Sequence, residues 1–294
     1  MEYLVQVLGS GLLQGLVYSL IAVSLVLIYK SSEVFNFSVG EFCTLGAIFF
    51  FVFQSLGMPL WVSIPGFLLM AAVFGGLVEK LIIDRLIGRN PMSITLVTIG
   101  ISSILIGCML IFFGANPETI ELPVPDLTLD FAGALFISSQ VWNGLIAASA
   151  MVALLLFHKF STMGILMRAT ADSQVKSIVL GINARRILTM TWGISGMVAA
   201  LGGLVVANGS AVSYDMGVVG LAAIPVVLLG GLESIPGAIL GGMIIGLVET
   251  TTTFYLEPWL ELPGFQAIAP YIVLLLVLMV RPQGLFGQEL IERV

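Results

Sequence analysis

The chain has 294 residues, of which 59% are hydrophobic and 10% charged, with 33 glycines and a net charge of −6. So little polar surface excludes a water-soluble globule of this length, and a mean hydropathy of +1.12 assigns the chain to the integral membrane proteins. The eleven Lys and Arg residues are dispersed, which excludes a nucleic-acid-binding surface.

A helical span needs about 20 mostly apolar residues. Windows of that kind occur near 10–29, 35–53, 60–79, 92–113, 140–157, 187–207 and 267–280. The N-terminus MEYLVQVLGSGLL has an acidic n-region and no small-residue cleavage site, so the first window reads as a retained span. Between 218 and 256, VVGLAAIPVVLLGG and GAILGGMIIGLVETTTTFYL are separated by ESIP, giving two spans or a broken, partly re-entrant pair. The expected fold is all-α: a polytopic transmembrane bundle over residues 1–294, a single transmembrane domain with about nine spans (eight to ten).

The second window opens on the most polar intramembrane stretch, with Asn36, Ser38 and Gly40 ahead of Glu41. A second carboxylate, Glu249, falls in GGMIIGLVETTTTF. A charge at bilayer depth costs from about 2.5 to over 10 kcal/mol, so each is a functional candidate for a solute path. The competing reading puts each near a span end, reaching interfacial water. Thr250 to Thr253, and Ser93, Thr95, Thr98, Ser102 and Ser103, line a path or else satisfy themselves on helix backbone. Cys43 and Cys108 sit in apolar stretches and read as small hydrophobes. Gly11 with Gly15, Gly196 with Ala200, Ala199 with Gly203, Gly237 with Gly241, and Gly242 with Gly246 have helix-packing spacing.

The loop at 114–139 is acidic and broken by Pro117, Pro123 and Pro125, so it reads as extended or irregular. Residues 158–186 form the one long polar interruption and carry five of the eleven cations. Within it, GILMRATADSQVKSIVLG (164–181) predicts one amphipathic helix of about four turns, with Asp172 and Lys176 paired at i,i+4 and Gly181 as the stop. Such a helix either lies on lipid headgroups or docks as a rigid knob on a partner. With the N-terminus outside and the C-terminus inside, every Lys and Arg falls on the cytoplasmic side, in agreement with the positive-inside rule. No phosphate loop or HExxH zinc motif is present, and the one histidine, His158, reads as a solvated boundary residue, so the chain is expected not to be an enzyme.

Four stretches resemble one family. MRATADSQVKSIVLGI is similar to the cytoplasmic-loop pattern of branched-chain amino acid ABC transporter permeases, and VFNFSVGEFCTLGA to their early membrane signature. LLGGLESIPGAILGGMIIGLVE and VRPQGLFG are similar to two later signatures, and the first spans place the chain nearer the H-type subunit than the longer M-type. The resemblance implies ATPase-coupling roles for Arg168, Ala169, Asp172, Gly181 and Ile182, to which Lys176 is added from the loop itself. It implies a substrate path at Asn36, Phe37, Gly40 and Glu41, with Ser38 and Glu249 added from the intramembrane polarity. Ser38 and Val39 depart from the early signature, and Ser177 stands where the loop pattern has Ala. The implied assembly is an inner-membrane importer. It comprises a second, M-type permease subunit, two cytosolic ATPase subunits carrying ATP and magnesium, and an extracytoplasmic solute-binding protein. This chain itself binds no cofactor or metal in that assembly. Related permeases carry urea or short amides. Without the resemblance, Glu41 or Glu249 could equally serve as the ion-coupling group of a secondary carrier.

Overall fold

The computed structural model describes residues 2–86, 88–120, 122, 124–125, 129–131, 133–208 and 210–287. Its helices are α1 (Glu2–Ser32), α2 (Val39–Ser55), α3 (Leu60–Val78), α4 (Pro91–Phe113), α5 (Ser138–Phe160), α6 (Thr162–Asp172), α7 (Gln174–Val179), α8 (Ala184–Ala207), α9 (Val218–Gly230), α10 (Ile235–Thr251), α11 (Glu257–Leu260) and α12 (Ala269–Val280). Among the described residues six helices are long and apolar enough to cross a membrane, and three shorter apolar ones, 39–55, 218–230 and 265–280, correspond to the remaining expected spans.

α1 and α8 are the central spans, with 78% and 72% of their apolar windows buried against 17% for α4. Small residues let α10 lie directly on α1. A Cβ at Gly15 would stand 2.7 Å from the Gly242 carbonyl oxygen, so the Gly11/Gly15 and Gly242/Gly246 pairs face each other as their spacing predicts. Two hydroxyls fasten the centre: Ser19 Oγ donates to the Ile239 carbonyl (2.9 Å) and Ser195 Oγ to the Ser24 carbonyl (2.7 Å). Both bonds are made where no water competes for them.

The region 218–256 is a helix pair with a half-length first member. The 13 residues of α9 rise about 20 Å, short of the bilayer's hydrocarbon thickness of about 30 Å. α9 is reached from α8 through β4 (Ala211–Val212) and a 3₁₀ turn at Tyr214–Gly217. β4 pairs antiparallel with β1 (Glu118–Thr119) of the acidic loop, in which β2 (Leu129–Phe131) and β3 (Ala134–Phe136) form a hairpin. The described parts of that loop are extended or irregular, as Pro117 and Pro125 predict; Glu121, Pro123 and Asp126 lie outside the described residues.

The cavities fix which ends lie together. Lys30, Arg89, Asp172 and Leu188 line one, and Lys30, Lys159, Arg168 and Glu233 another, so the C-termini of α1 and α5 and the N-termini of α4, α8 and α10 share an end. Gln6, Gln140, Thr253 and Gln266 line a third at the opposite end. Every described Lys and Arg therefore belongs to one end, the basic end. The segment after α12 folds back there, where Leu285 and Phe286 donate their N–H groups to the Leu229 and Gly230 carbonyls at 2.8 and 3.1 Å. Two of the sequence signatures, 228–249 and 280–287, thus meet in space.

The polar loop departs from the expected single helix. Ser173 is extended (φ −168°, ψ 111°), which ends α6 and starts α7. Its hydroxyl accepts the Lys176 N–H at 3.3 Å, an N-cap that competes with helix continuation. The break separates Asp172 from Lys176, and the one ion pair among the described residues is Arg185 with Asp84, 3.4 Å apart.

Candidate functional site

α1 ends at Ser32, and the chain turns through Glu33, whose φ of 55° is left-handed. Residues 33–38 then run without regular structure to the start of α2. Non-helical backbone at membrane depth needs partners from side chains, and this stretch has them. Asn36 Oδ1 accepts from the Ser38 N–H (3.1 Å) and hydroxyl (2.7 Å). Thr98 of α4 accepts the Phe37 N–H at 3.1 Å, and its hydroxyl lies 3.2 Å from the Phe35 carbonyl. The Phe35 and Phe37 rings pack with centroids 4.8 Å apart. One hydroxyl of the fourth-span stripe therefore clamps the irregular segment, while Ser103 bonds back to the Ile99 carbonyl of its own helix.

Gly40 follows at the start of α2, where a Cβ would collide with the Gly217 carbonyl. This close approach brings the first turn of α9 against Glu41, since a Cβ on Gly217 would stand 2.8 Å from Glu41 Oε1. Glu41 is 5% exposed, and its Oε2 has no hydrogen-bond partner. The Asn36 Nδ2 donor, five residues earlier, is likewise buried and unpartnered. Glu41 lines a groove of about 400 Å³ whose other walls are Phe37, Ile99, Ser102, Ile106, Gly217, Val218 and Leu221. Apart from Glu41 and the Ser102 hydroxyl those walls are apolar, and Ile99, Val218 and Leu221 are exposed along the open side. A carboxylate beside aliphatic walls can hold an ammonium group while an apolar substituent stays out of water.

Glu249 is elsewhere. It lines a separate cavity of about 290 Å³ at the end opposite the basic one, with Gln14, Gln140 and Asn143, and pairs with the Tyr18 hydroxyl. The two cavities share no residue, so the two carboxylates are not brought together. The neighbouring threonines follow the self-satisfied reading: Thr251 bonds to the Leu247 carbonyl (2.6 Å) and Thr253 to that of Glu249 (2.9 Å), with Gln266 also against Thr253.

In the polar loop, Ser161 caps α6 by accepting the Gly164 N–H at 2.9 Å. The Arg168 guanidinium turns back onto α5, donating to the His158 carbonyl and lying 3.4 Å from that of Lys159. It thus satisfies carbonyls that the end of α5 leaves open, and His158 is half-buried beneath it. Ala169 offers its carbonyl to the Ser177 hydroxyl at 2.9 Å, so the residue that departs from the family pattern pins α7 to α6. Asp172 and Lys176 are exposed. Gly181 (φ +78°) donates to the Ile178 carbonyl, and Ile182 to that of Ser177 at 2.9 Å, which is a Schellman stop of the predicted kind. Ahead of that stop, Ile178, Val179 and Leu180 are 62%, 82% and 76% exposed, an apolar knob at the tip of the basic end.

Two buried groups were not singled out by sequence reasoning. Glu79 is 1% exposed in a π-turn at the end of α3, and Trp192 is fully buried in α8. In the sequence Glu79 adjoins Lys80 and looks like an ordinary span boundary; a carboxylate as the last residue of the 60–79 apolar window was the available signal.

Comparison with known proteins agrees with this architecture. The family described as branched-chain amino acid transport system, permease component, matches residues 7–280. The high-affinity branched-chain amino acid transport system permease protein LivH of Salmonella typhimurium is 27% identical over 317 residues, covering 99% of this chain and 98% of the relative. The corresponding protein BraD of Pseudomonas aeruginosa is 25% identical, with 98% and 97% covered. Among solved structures, PsaBC from Streptococcus pneumoniae in complex with Fab has a similar fold, with a TM-score of 0.52 and 12% identity over 97% of this chain and 94% of that one. With the family matched along nearly its whole length, the chain belongs to the permease components of branched-chain amino acid transport systems.

Proposed function

We propose that this chain is the translocation subunit of an ATP-driven importer of branched-chain amino acids, with its N-terminus outside and its basic end in the cytoplasm. The carrying observation is Glu41: a buried carboxylate with an unpartnered oxygen, set at the mouth of an irregular segment in a groove of aliphatic walls. A zwitterion with a branched aliphatic side chain matches that chemistry, its ammonium on Glu41, its carboxylate toward the Asn36 amide and its side chain against Ile99, Ile106 and Leu221. The exposed residues along the groove's open side are the surface on which a second permease chain completes the path. The collection of every described cation at one end supports the orientation, since such residues stay on the cytoplasmic side.

The knob at Ile178–Leu180 is the docking element for two cytosolic ATPase subunits, which hold ATP and magnesium. The solute arrives from an extracytoplasmic binding protein. Closure of the ATPase subunits displaces α6 and α7 together, because Ser177 joins them, and Arg168 carries the displacement to α5. The test is uptake by the reconstituted complex with leucine, isoleucine, valine and urea in competition. Wild type takes up the three amino acids and ignores urea, and Glu41→Gln loses uptake while still assembling. Undiminished leucine uptake by Glu41→Gln refutes the assignment, and urea competing as well as leucine moves the substrate class to amides.

A further inference from the structure

The cavity at the basic end, about 330 Å³, is lined by neither of the carboxylates assigned to the path by sequence, and it lies within the size range of small-ligand sites. Two of its lining residues are buried with polar atoms left over. Glu79 accepts the Thr189 hydroxyl on Oε2 at 2.5 Å, but its Oε1 has no partner, and neither has the indole N–H of Trp192. An orphaned acceptor and an orphaned donor on one cavity wall demand a ligand or a second arrangement that satisfies both. Cations Lys30 and Arg89 and anions Glu33 and Asp172 also line it, together with apolar Val34, Ile83 and Leu188. A ligand that fits this lining carries both charges and a small apolar group.

The cavity's position gives such a ligand an effect. Its wall includes Thr170 to Ser173, the end of α6 and the break before α7. Ile94 of α4 lines it, while Ile99 and Ser102, farther along the same helix, line the Glu41 groove, with the Thr98 clamp between the two. We infer that this cavity is a second, cytoplasm-facing site for a free zwitterionic amino acid, and that its occupancy restrains the α6–α7 break. Glu79 takes the ammonium; the Trp192 N–H, Lys30 and Arg89 take the carboxylate. Accumulated product then slows its own import. This inference rests on the importer reading above, which supplies the direction of transport and the role of α6 and α7.

The experiment uses the full complex in vesicles with the ATPase subunits facing outward and the binding protein with leucine sealed inside. Leucine added outside reaches only the cytoplasmic face, and ATP hydrolysis is recorded. External leucine lowers wild-type hydrolysis about fivefold, the low end of measured allosteric couplings. Glu79→Gln and, separately, Trp192→Phe keep hydrolysis stimulated by the binding protein but lose the suppression. Wild-type hydrolysis indifferent to external leucine overturns the inference. So does suppression of equal size in both variants, which assigns the effect to another subunit. Should wild type show no stimulation by the binding protein at all, the importer reading fails first and takes this inference with it.

Discussion

Ser177→Ala tests whether α6 and α7 move as one body. Its hydroxyl makes a side-chain hydrogen bond that joins them across the extended residue Ser173, and Ser177 is 1% exposed. Its acceptor, the Ala169 carbonyl, also receives the Ser173 N–H at 3.3 Å, so the substitution does not orphan it. The loss is therefore that of one ordinary net hydrogen bond, about 1 kcal/mol, without the larger penalty for a stranded buried group. Six residues of α7 cannot hold a helix alone, so that loss falls on local opening. Opening of 174–180 should rise about fivefold. Amide exchange of the assembled complex, read by mass spectrometry on peptides covering 162–187, makes the measurement. The expected pattern is faster exchange in α7, unchanged exchange in α8, and fewer leucine molecules imported per ATP hydrolysed. Unchanged α7 exchange, or intact coupling despite faster exchange, refutes the idea that this bond transmits motion.

Gly181→Ala forces a side chain into a left-handed conformation at a cost of about 1–2 kcal/mol, and it should raise exchange in the same peptide while sparing α6. Thr98→Val strands the Phe37 N–H, costing about 1–3 kcal/mol, and loosens the clamp; vesicles carrying it should leak leucine without ATP, measured as downhill efflux. Gly246→Ala places a methyl against α1 backbone at Gly15, and thermal unfolding in detergent should show about 1–3 kcal/mol of destabilisation, with Ala at the unobstructed Gly107 as the neutral control.

Much of the architecture was legible because the bilayer simplifies the code. Apolar runs located the helices, and the cations marked a common end, since moving any one of them across the membrane is costly. Facing glycine pairs on α1 and α10 were legible for a similar reason, as only small residues permit that approach. The break at Ser173 was not, because ATADSQVKS has good helix composition and the rival Ser173 cap is worth only about 1 kcal/mol. Glu41 and Glu249 looked alike in sequence, each a carboxylate in an apolar window. Their separation into two cavities depends on which faces α2 and α10 turn inward, and near-continuous apolarity erases that periodicity. Glu79 was passed over because its neighbour Lys80 gave an innocent account of it.

The meeting of the segment after α12 with the α9–α10 turn has a consequence for biosynthesis. The carbonyls of Leu229 and Gly230 find their tertiary partners in Leu285 and Phe286, made some fifty-five residues later. Until Leu285 and Phe286 are made, α9 packs on α1, α2 and α10, but the turn at 231–234 lacks these two bonds. Nascent chains arrested before residue 285 should therefore insert normally yet remain open to protease at 231–234.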